Sequence, residues 1–323
     1  GATSDEDVRL WAISASWLPF SHASTICMIE GAELVAISDV NESALLDAGR
    51  KYAVTSCYLD YREMLARERL DVLAIATRTN GRKEIIECGV ANGIKAIYCE
   101  KPLANTLEDA DELADLLEQK KTIFVYGTRR RYMPAYLKAK EMVEKGDIGK
   151  LTAVIVKLGN SLLFWGHPHS VDIASFFAGD SAVEYVQADL DLDSSAIQGS
   201  VIDSDPRIRF AYIMFANGIK AYILPSDSFD VELVGTEAML SVRSDGVAIY
   251  RRSRLPDARD DGWLLAERVV PVDTTPSGTI NSIKAIIDAI MDGKNPGYNI
   301  HLAIRNQEVL FGFVYSHLQN GGK

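Results

Sequence analysis

An acidic residue at the end of a strand-like run is the first feature of this sequence that could do chemistry. Residues 9–39 predict a strand, a tight turn, a helix and a second strand that ends in Asp39, which is how dinucleotide-binding βαβ units begin. A carboxylate there can accept hydrogen bonds from the ribose hydroxyls of an adenosine, and it repels the 2′-phosphate of NADP. If a dinucleotide binds, NAD is therefore favoured over NADP. The alternative is that Asp39 caps the helix predicted in the following NESALLDAGRKY, and one aspartate could do both.

The turn of this unit lacks the residues that usually hold a diphosphate. The expected G-x-G-x-x-G is replaced by SASWLP at residues 14–19. A non-glycine residue in a left-handed conformation costs roughly 1–2 kcal/mol, which a domain of this size can absorb. Ser16, Trp17 and Pro19 would crowd a pyrophosphate, whereas the hydroxyls of Ser14 and Ser16 could donate to it beside the helix N-terminal amides. Both outcomes are compatible with the sequence, so the expected cofactor is NAD or none.

The first 127 residues alternate short apolar runs with amphipathic segments. The runs are rich in Val, Ile and aromatic residues, as expected of strands that are buried on both faces; they read RLWAIS, ELVAISD, VLAIAT, AIYCE and TIFVYG. The clearest helix is predicted at residues 106–121, where Thr106 precedes Asp109 at the capping-box spacing. Strands that alternate with helices favour a parallel sheet with right-handed crossovers. We therefore predict an α/β domain, a doubly wound Rossmann sheet that binds dinucleotides, over residues 1–127.

After residue 127 the pattern changes to that of an α+β domain. Arginines at 129–131 lead into a helix that is predicted to end near Gly146, and strands dominate afterwards. Helices are predicted again at residues 277–291 and 301–318. We expect residues 128–323 to form a C-terminal α+β domain with a large, mostly antiparallel sheet for substrate binding and oligomerisation.

The strand pattern of this second domain is that of an antiparallel meander. Asn217-Gly218 supplies a hairpin turn between RIRFAYIMF and IKAYIL, and FDVELVGT, AMLSVR and GVAIYRR follow with short turns. Alternation within RIRFAYIMF predicts that one face holds Ile208, Phe210, Tyr212 and Met214.

Composition excludes several classes of protein. A net charge of −11 gives no electrostatic reason to bind nucleic acid or an anionic membrane. No apolar run reaches the roughly 18–20 residues that span a bilayer, and the polar, acidic N-terminal segment is not expected to be a signal peptide. The four cysteines form no CxxC pair, and the five histidines include a single H-x-H pair. We therefore expect reduced cysteines, no metal site and a cytoplasmic location.

A short motif links the sequence to a family. YCEKPLA, at residues 98–104, follows a strand and precedes a capped helix, and it resembles the EKP segment of the glucose–fructose oxidoreductase, inositol dehydrogenase and rhizopine catabolism (Gfo/Idh/MocA) family. Other segments resemble the family in the same order, so that the resemblance covers nearly the whole chain: GAELVAISD, DYREMLARERLDVLAIAT, RRYMPAYLKAKEMVEKGDIGKL, HSVDIASFFAGD and NQEVLFGFVYSHLQNG. The resemblance implies a pyridine-nucleotide oxidoreductase that acts on sugars, cyclitols or their acids.

The resemblance also implies roles for particular residues. The EKP lysine, which lies near the nicotinamide and the reacting carbinol, corresponds to Lys101, and the histidine of the H-x-x-D helix, the usual proton carrier, corresponds to His169. A histidine can accept the hydroxyl proton while a lysine ammonium stabilises the developing alkoxide. The alternatives are a surface lysine and a helix-capping or core histidine. Cofactor contacts are expected at Ser14, Ser16, Trp17, Asp39, Thr77 and Glu100.

Two further departures from the family concern the substrate side. The family often has an aspartate four residues before the histidine, but Trp165 stands there, so the acid–base partner is absent unless His167 replaces it. Arg78 and Arg82 replace residues of a T-P-N-x-x-H pattern, and with the cluster at 129–131 they could bind a carboxylate or phosphate, or be solvated arginines that contact nothing. The candidate substrate-binding residues are Arg78, Arg82, Arg131, Tyr132, Trp165, His167 and Asp172, of which Asp172 could instead fix a backbone group or a histidine tautomer.

Three hypotheses follow for the function. The first is an NAD-linked oxidoreductase or epimerase of a sugar-like, neutral or anionic small molecule, with Lys101 as electrostatic catalyst and His169 as acid/base. The second is a pseudo-dehydrogenase that has lost the dinucleotide and binds a ligand or a partner protein. The third keeps the fold but performs non-redox chemistry, such as elimination or hydrolysis. The resemblance further implies a homo-oligomer that forms through the C-terminal sheet.

Overall fold

Two compact units make up the described part of the protein. The computed structural model describes residues 18–19, 21–198, 201–202, 204–254 and 264–322. The first unit contains the described residues up to Arg129 together with Ser277–Ile304, and the second contains Arg130–Pro276 and the residues from Arg305 onward. The chain passes from the first unit to the second after Arg129, close to the boundary predicted at residue 128. The sequence did not indicate that the chain returns to the first unit at Ser277.

Parallel strands alternate with helices in the first unit. One parallel sheet pairs β1 with β2, and a second has the order β3-β4-β5. This architecture confirms the predicted α/β Rossmann fold, although the strand predicted at residues 9–14 lies outside the described residues. The elements are β1 (Ala36–Ser38), β2 (Ser56–Tyr58), β3 (Val72–Ile75), β4 (Ala96–Cys99), β5 (Ile123–Tyr126), α1 (His22–Met28), α2 (Glu42–Tyr52), α3 (Tyr61–Arg67), α4 (Arg82–Ala91) and α5 (Leu107–Lys120).

Side-chain caps fix where these helices begin. Thr106 Oγ1 accepts a hydrogen bond from the Asp109 amide at 3.0 Å, and the apolar stripe of α5 is buried through Leu113 and Leu117. The helix predicted at residues 106–121 is therefore confirmed, with Thr106 as its N-cap.

A helix from late in the chain completes the first unit. α9 (Gly278–Asp292) packs against β4, β5 and α1. The buried Ser277 caps this helix, because its Oγ accepts from the Ile280 amide at 3.3 Å, and the same hydroxyl donates to the Pro19 carbonyl at 3.2 Å. Ser277 thus joins the start of α9 to the residues that precede α1.

One large mixed sheet dominates the second unit. Its strand order is β15-β14-β13-β12-β6-β11-β10-β7, and the β6–β11 pair is parallel while the other pairs are antiparallel, which confirms the predicted α+β fold. The elements are β6 (Leu151–Leu158), β7 (Val183–Asp191), β8 (Ile197–Gln198), β9 (Val201–Ile202), β10 (Arg207–Phe215), β11 (Lys220–Pro225), β12 (Asp230–Gly235), β13 (Ala238–Arg243), β14 (Ala248–Arg254), β15 (Leu264–Val270), a 3₁₀ turn (Arg129–Tyr132), α6 (Pro134–Glu144), α7 (Leu163–Gly166) and α8 (Pro168–Phe177). A last helix, α10 (Ile300–Leu318), begins in the first unit and belongs to the second unit from Arg305 onward.

The sheet buries one face against helices. α8 packs on β6, and α6 packs on β13 and β14. Alternate residues of the strands point into this core, among them Val154, Val156, Ile223, Leu233 and Leu240. No helix among the residues that the structure describes is long and apolar enough to cross a membrane.

The predicted alternation of β10 is wrong at its start. A register shift between Ile208 and Phe210 breaks the pairing of β10 with β7. Such a bulge reverses the side-chain alternation, so Ile208 is buried on the core side with Ala211 and Ile213, whereas Phe210 is exposed. The hairpin turn predicted at Asn217-Gly218 is present, and the Gly218 amide donates to the Phe215 carbonyl at 2.8 Å.

Candidate active site

The side chains of the first unit that could do chemistry follow the parallel strands directly. Asp39 follows β1, Thr77 lies two residues after β3, Glu100 and Lys101 follow β4, and Thr128 lies just beyond β5. Ligands of open α/β sheets bind where the carboxyl ends of the strands lie. The fold therefore places these residues at the edge where a ligand is expected.

Asp39 keeps an exposed carboxylate at this edge. Its Oδ1 accepts from the Asn41 amide at 2.8 Å, and the Asn41 side chain caps α2 by accepting from the Ala44 amide at 3.1 Å. The alternative in which Asp39 is the helix cap is therefore wrong, because Asn41 has that role. The hydrogen bond between Asp39 and the Asn41 amide instead stabilises the turn that precedes α2.

Two exposed aliphatic side chains lie next to this carboxylate. Val40 is 91% exposed and Leu59 is 51% exposed, and they follow the paired strands β1 and β2, where Ser38 lies opposite Tyr58. Exposed aliphatic groups on adjacent strand ends offer apolar contact to a flat ring. Sequence reasoning missed both residues, although an aliphatic residue directly after the strand-terminal acid was a usable signal.

The Glu100 carboxylate is held from three directions. Its Oε1 lies 3.2 Å from His22 Nε2, and its Oε2 accepts from the Lys101 amide at 3.3 Å. The third neighbour is Gly127, whose missing side chain leaves space for the carboxylate: a Cβ at this position would lie only 2.9 Å from Glu100 Cδ. Burial opposes the charged form of Glu100, but the hydrogen bond and charge of His22 and the Lys101 ammonium together lower its pKa below the ordinary value. Glu100 is therefore ionised at neutral pH.

Sequence reasoning missed His22, which is the first residue of α1. The two residues are 78 positions apart in the sequence, and no local pattern connects them. Lys101 itself is half-buried, and its peptide bond to Pro102 is cis.

Arg82 is buried in the interior of the first unit. Its side chain is 1% exposed; Nη1 donates to the Glu100 carbonyl at 2.6 Å and to the Pro102 carbonyl, and Nη2 donates to the Thr77 carbonyl. This placement corrects the expectation of a substrate contact, because the guanidinium is committed to three backbone oxygens. Thr77 and Arg78 are both exposed.

In the second unit, the predicted proton carrier begins a helix. Pro168 is the first residue of α8, as the sequence predicted, and the half-buried His169 follows in the first turn. His167 is buried, its Nδ1 lies 3.1 Å from Ser170 Oγ, and burial lowers its pKa to about 4. His167 is therefore neutral at physiological pH, and its lowered pKa makes it a weak base in the place of the missing aspartate.

A buried ion cluster holds the middle of this helix. Arg131 Nη2 donates to Asp172 Oδ1 at 2.6 Å and to Asp180 Oδ1 at 3.2 Å, and the Arg131 and Asp172 side chains are almost fully buried. Arg131 and Tyr132, both buried, were expected to contact substrate. The cluster corrects that expectation for Arg131, since two carboxylates occupy its guanidinium, and Asp172 anchors α8 to the 3₁₀ turn.

Trp165 presents an exposed ring. Trp165 is 62% exposed, and its backbone amide donates to Asp205 Oδ2 at 3.1 Å. The Asp205 carboxylate also accepts from the Phe164 amide at 2.7 Å, and so holds the start of α7. Of the predicted substrate-binding residues, Arg78 and Trp165 are exposed.

Part of the predicted site cannot be placed. Ser14, Ser16 and Trp17 lie outside the described residues. Within the described ranges, the His, Cys, Asp and Glu side chains form no group of three or more that could hold a metal ion.

The sequence is similar to an oxidoreductase family model and to several dehydrogenases. The oxidoreductase family with an NAD-binding Rossmann fold (GFO_IDH_MocA) matches residues 17–128. Myo-inositol 2-dehydrogenase of Thermotoga maritima is 34% identical over 144 residues, which are 44% of this chain and 42% of that enzyme. D-apiose dehydrogenase of Paraburkholderia graminis is 26% identical over 300 residues, which are 83% of this chain and 76% of that enzyme. The chain thus aligns with less than half of the length of the first relative.

Solved structures share the fold over nearly the whole chain. The structure of a levoglucosan dehydrogenase in complex with NADH and levoglucosan superposes with a TM-score of 0.77 at 19% identity, covering 93% of this chain and 93% of that one.

Arg82 offers a test of the interior it stabilises. Replacing Arg82 by Met leaves three carbonyls without their donor, so we expect the free energy of unfolding to fall by about 2–5 kcal/mol. The exposed Arg78, four residues earlier, is the matched control, and Arg78→Met should change it by less than about 0.5 kcal/mol. Urea unfolding followed by circular dichroism measures both. Equal midpoints for Arg82→Met and the wild type would show that the three hydrogen bonds do not matter.

Proposed function

We propose that the chain is a member of the Gfo/Idh/MocA oxidoreductase family and an NAD-dependent enzyme that oxidises or epimerises a hydroxyl-bearing carbon of a sugar, cyclitol or sugar acid. The observation that supports this most directly is the corner after β4, where the Glu100 carboxylate accepts from the Lys101 amide at 3.3 Å at the ligand edge of the Rossmann unit. The names of the relatives, an inositol and an apiose dehydrogenase, favour this substrate class.

Several residues of the first unit fit the adenosine half of a dinucleotide. The exposed Asp39 carboxylate would accept the ribose hydroxyls, and Val40 and Leu59 would contact the adenine ring. Asp39, Val40, Asn41 and Glu42 include no basic residue that could pair with a 2′-phosphate, which favours NAD over NADP. Thr77, exposed after β3, would lie along the cofactor. When bound, the nicotinamide ring accepts or returns the hydride.

The chain's own groups would manage the proton and the charge. His169 accepts the proton of the substrate hydroxyl as the hydride leaves its carbon, and the Lys101 ammonium stabilises the oxyanion that develops. The exposed Trp165 ring offers a stacking surface for a sugar, and the exposed Arg78 guanidinium offers a contact for a carboxylate or phosphate.

A specific feature supports a second candidate. The turn at residues 14–19 has no glycine, so a scaffold that has lost the dinucleotide, and that binds another ligand or performs non-redox chemistry, remains the alternative. Cofactor binding separates the two. Saturation with NADH at 100 times its dissociation constant should add about 2.7 kcal/mol of stability, and an unchanged melting temperature at millimolar NAD(H) and NADP(H) favours the alternative.

The homo-oligomer is proposed from a face of the large sheet. The side of the sheet opposite α6 and α8 carries half-buried apolar residues, and the ring centroid of Tyr212 lies 5.8 Å from that of Tyr185 and 5.3 Å from that of Tyr222. Ile155, Met214 and Leu224 lie on the same side. This face also carries the Lys157–Glu232 ion pair beside Ile155 and Leu224. A face with this many half-buried apolar and aromatic side chains favours contact with a second copy of the chain.

The carboxylate after β1 should set the cofactor preference. Asp39→Ala removes the ribose acceptor and the charge that repels a phosphate, so we expect about tenfold weaker NADH binding and a smaller preference for NADH over NADPH. Isothermal titration with each cofactor measures this. Asp47→Ala, which removes an exposed carboxylate on α2, should leave both affinities unchanged, and an Asp39→Ala protein with wild-type preference would contradict the assignment.

The lysine after β4 should be needed for turnover but not for folding. We expect Lys101→Met to lower the rate of NAD⁺ reduction, followed at 340 nm with a panel of cyclitols, aldoses and aldonic acids, by about 10²–10⁴-fold, and His169→Ala to do the same. Lys95→Met is the matched control, because Lys95 precedes the same strand and forms an exposed ion pair with Asp71. Full activity of Lys101→Met would remove Lys101 from the mechanism.

The apolar sheet face should hold the oligomer together. A charge at Tyr222 would be buried against a second copy, so we expect Tyr222→Lys to convert the oligomer to monomer in light scattering at micromolar concentration. Leu46→Lys, at an exposed leucine of α2, should leave the mass unchanged. A monomeric wild-type protein would overturn this part of the proposal.

A further inference from the structure

One histidine outside the predicted site is fixed against the Glu100 carboxylate. His22 Nε2 lies 3.2 Å from Glu100 Oε1, and the His22 side chain is only 12% exposed. Because an ionised carboxylate can only accept, Nε2 carries the proton of this hydrogen bond. The contact joins the first turn of α1 to the residue before Lys101.

The orientation of the His22 ring is set by its surroundings. The ring stands edge-on to the buried Tyr98 ring, with centroids 4.8 Å apart and an interplanar angle of 81°, an arrangement that aromatic pairs prefer. Ser21 fixes the start of α1 by accepting from the Ser24 amide at 3.2 Å, and α9 packs against this helix. His22 therefore presents Nε2 to Glu100 from a rigid support.

Glu100 in turn fixes the backbone of Lys101. Its second oxygen accepts from the Lys101 amide at 3.3 Å, and Gly127, where a Cβ would lie 2.9 Å from Glu100 Cδ and 3.1 Å from its Cα, closes the remaining side. His22 holds one carboxylate oxygen while the other holds the Lys101 amide. Without His22, the freed oxygen could turn toward the Lys101 ammonium and compete with the substrate for it.

We propose that His22 is a positioning residue, which acts through Glu100 to hold Lys101 in the orientation that the reaction requires. This role presupposes the proposed function, since it assigns His22 a part in the same site. His22 touches neither substrate nor cofactor in this role. It keeps the Glu100 carboxylate in place, and the Lys101 ammonium consequently stays available to the reacting oxygen.

Three variants of the chain test the proposal. His22→Leu removes the donor, His22→Gln supplies an amide N–H in its place, and Gly127→Ala displaces Glu100 without removing any functional group. We expect His22→Leu and Gly127→Ala to lower kcat about 10- to 100-fold with KM for the alcohol changed less than about threefold. His22→Gln should recover kcat to within about threefold of the wild type. A merely structural role predicts no such rescue, so a His22→Gln enzyme as slow as His22→Leu overturns the proposal, as does an unchanged kcat in His22→Leu.

A second measurement does not depend on activity. The urea midpoints of His22→Leu, Glu100→Gln and the double variant form a double-mutant cycle. Because the two side chains act on each other, we expect the double variant to unfold at nearly the same midpoint as the less stable single variant. Additive shifts overturn the proposal even if the enzyme is active. If the midpoints are coupled but the wild-type protein shows no turnover, the His22–Glu100 contact is supported and the proposed function fails.

The first unit offers a matched control pair. His301 and Glu118 also form a histidine–glutamate contact, but their side chains are 55% and 60% exposed. Exposed pairs of this kind contribute little, so the corresponding cycle with His301→Leu and Glu118→Gln should show additive midpoints and unchanged kcat. Coupling as large in this pair as in His22–Glu100 would overturn the proposal, because the effect would then not depend on the Glu100 corner.

Discussion

The geometry of the candidate site depends on a single buried guanidinium. Parallel strands leave backbone carbonyls without partners at the ends where ligands bind, and buried carbonyls of this kind need donors. Arg82 satisfies three of them, at Thr77, Glu100 and Pro102, and thereby ties the loop after β3 to the loop after β4. Lys101 lies between two of these anchored carbonyls. The position of its backbone is consequently set by an arginine that comes from the start of α4 and is buried beneath the site.

The second unit uses buried charge in the same way. Arg131 joins Asp172 of α8 to Asp180, and Arg130 forms a bidentate pair with Asp245, with its guanidinium carbon 3.8 Å from the centre of the Phe229 ring. Breaking a buried pair of this kind leaves an uncompensated charge, so each pair constrains the segments that it joins. Arg130 and Arg131 therefore anchor the 3₁₀ turn at residues 129–132, and the Arg131–Asp172 pair holds α8 in place.

Much of the fold could be predicted because its determinants are local. The Thr106 cap, the hairpin at Asn217-Gly218 and Pro168 at the start of α8 each act within a few residues. The errors concern interactions between distant residues. The bulge after Ile208 depends on pairing with β7, the return of Ser277–Ile304 depends on packing, and burial decides that Arg82 and Arg131 are interior braces. A sequence pattern gives the charge of an arginine but not the carbonyls or carboxylates that enclose it. The His22–Glu100 contact was missed for the same reason.

The altered turn and the stability of α1 are separable. In Rossmann units the glycine turn both shapes the chain and approaches the diphosphate. Here α1 is held by several contacts of described residues: Ser21 caps it, α9 packs on it, His22 pairs with Glu100, and Ser277 donates to the Pro19 carbonyl at the end of the turn. A non-glycine residue in a left-handed conformation costs roughly 1–2 kcal/mol, which is within what such contacts can offset. The residues of the turn could therefore change without loss of the helix, and a change in dinucleotide affinity need not appear as a change in folding stability.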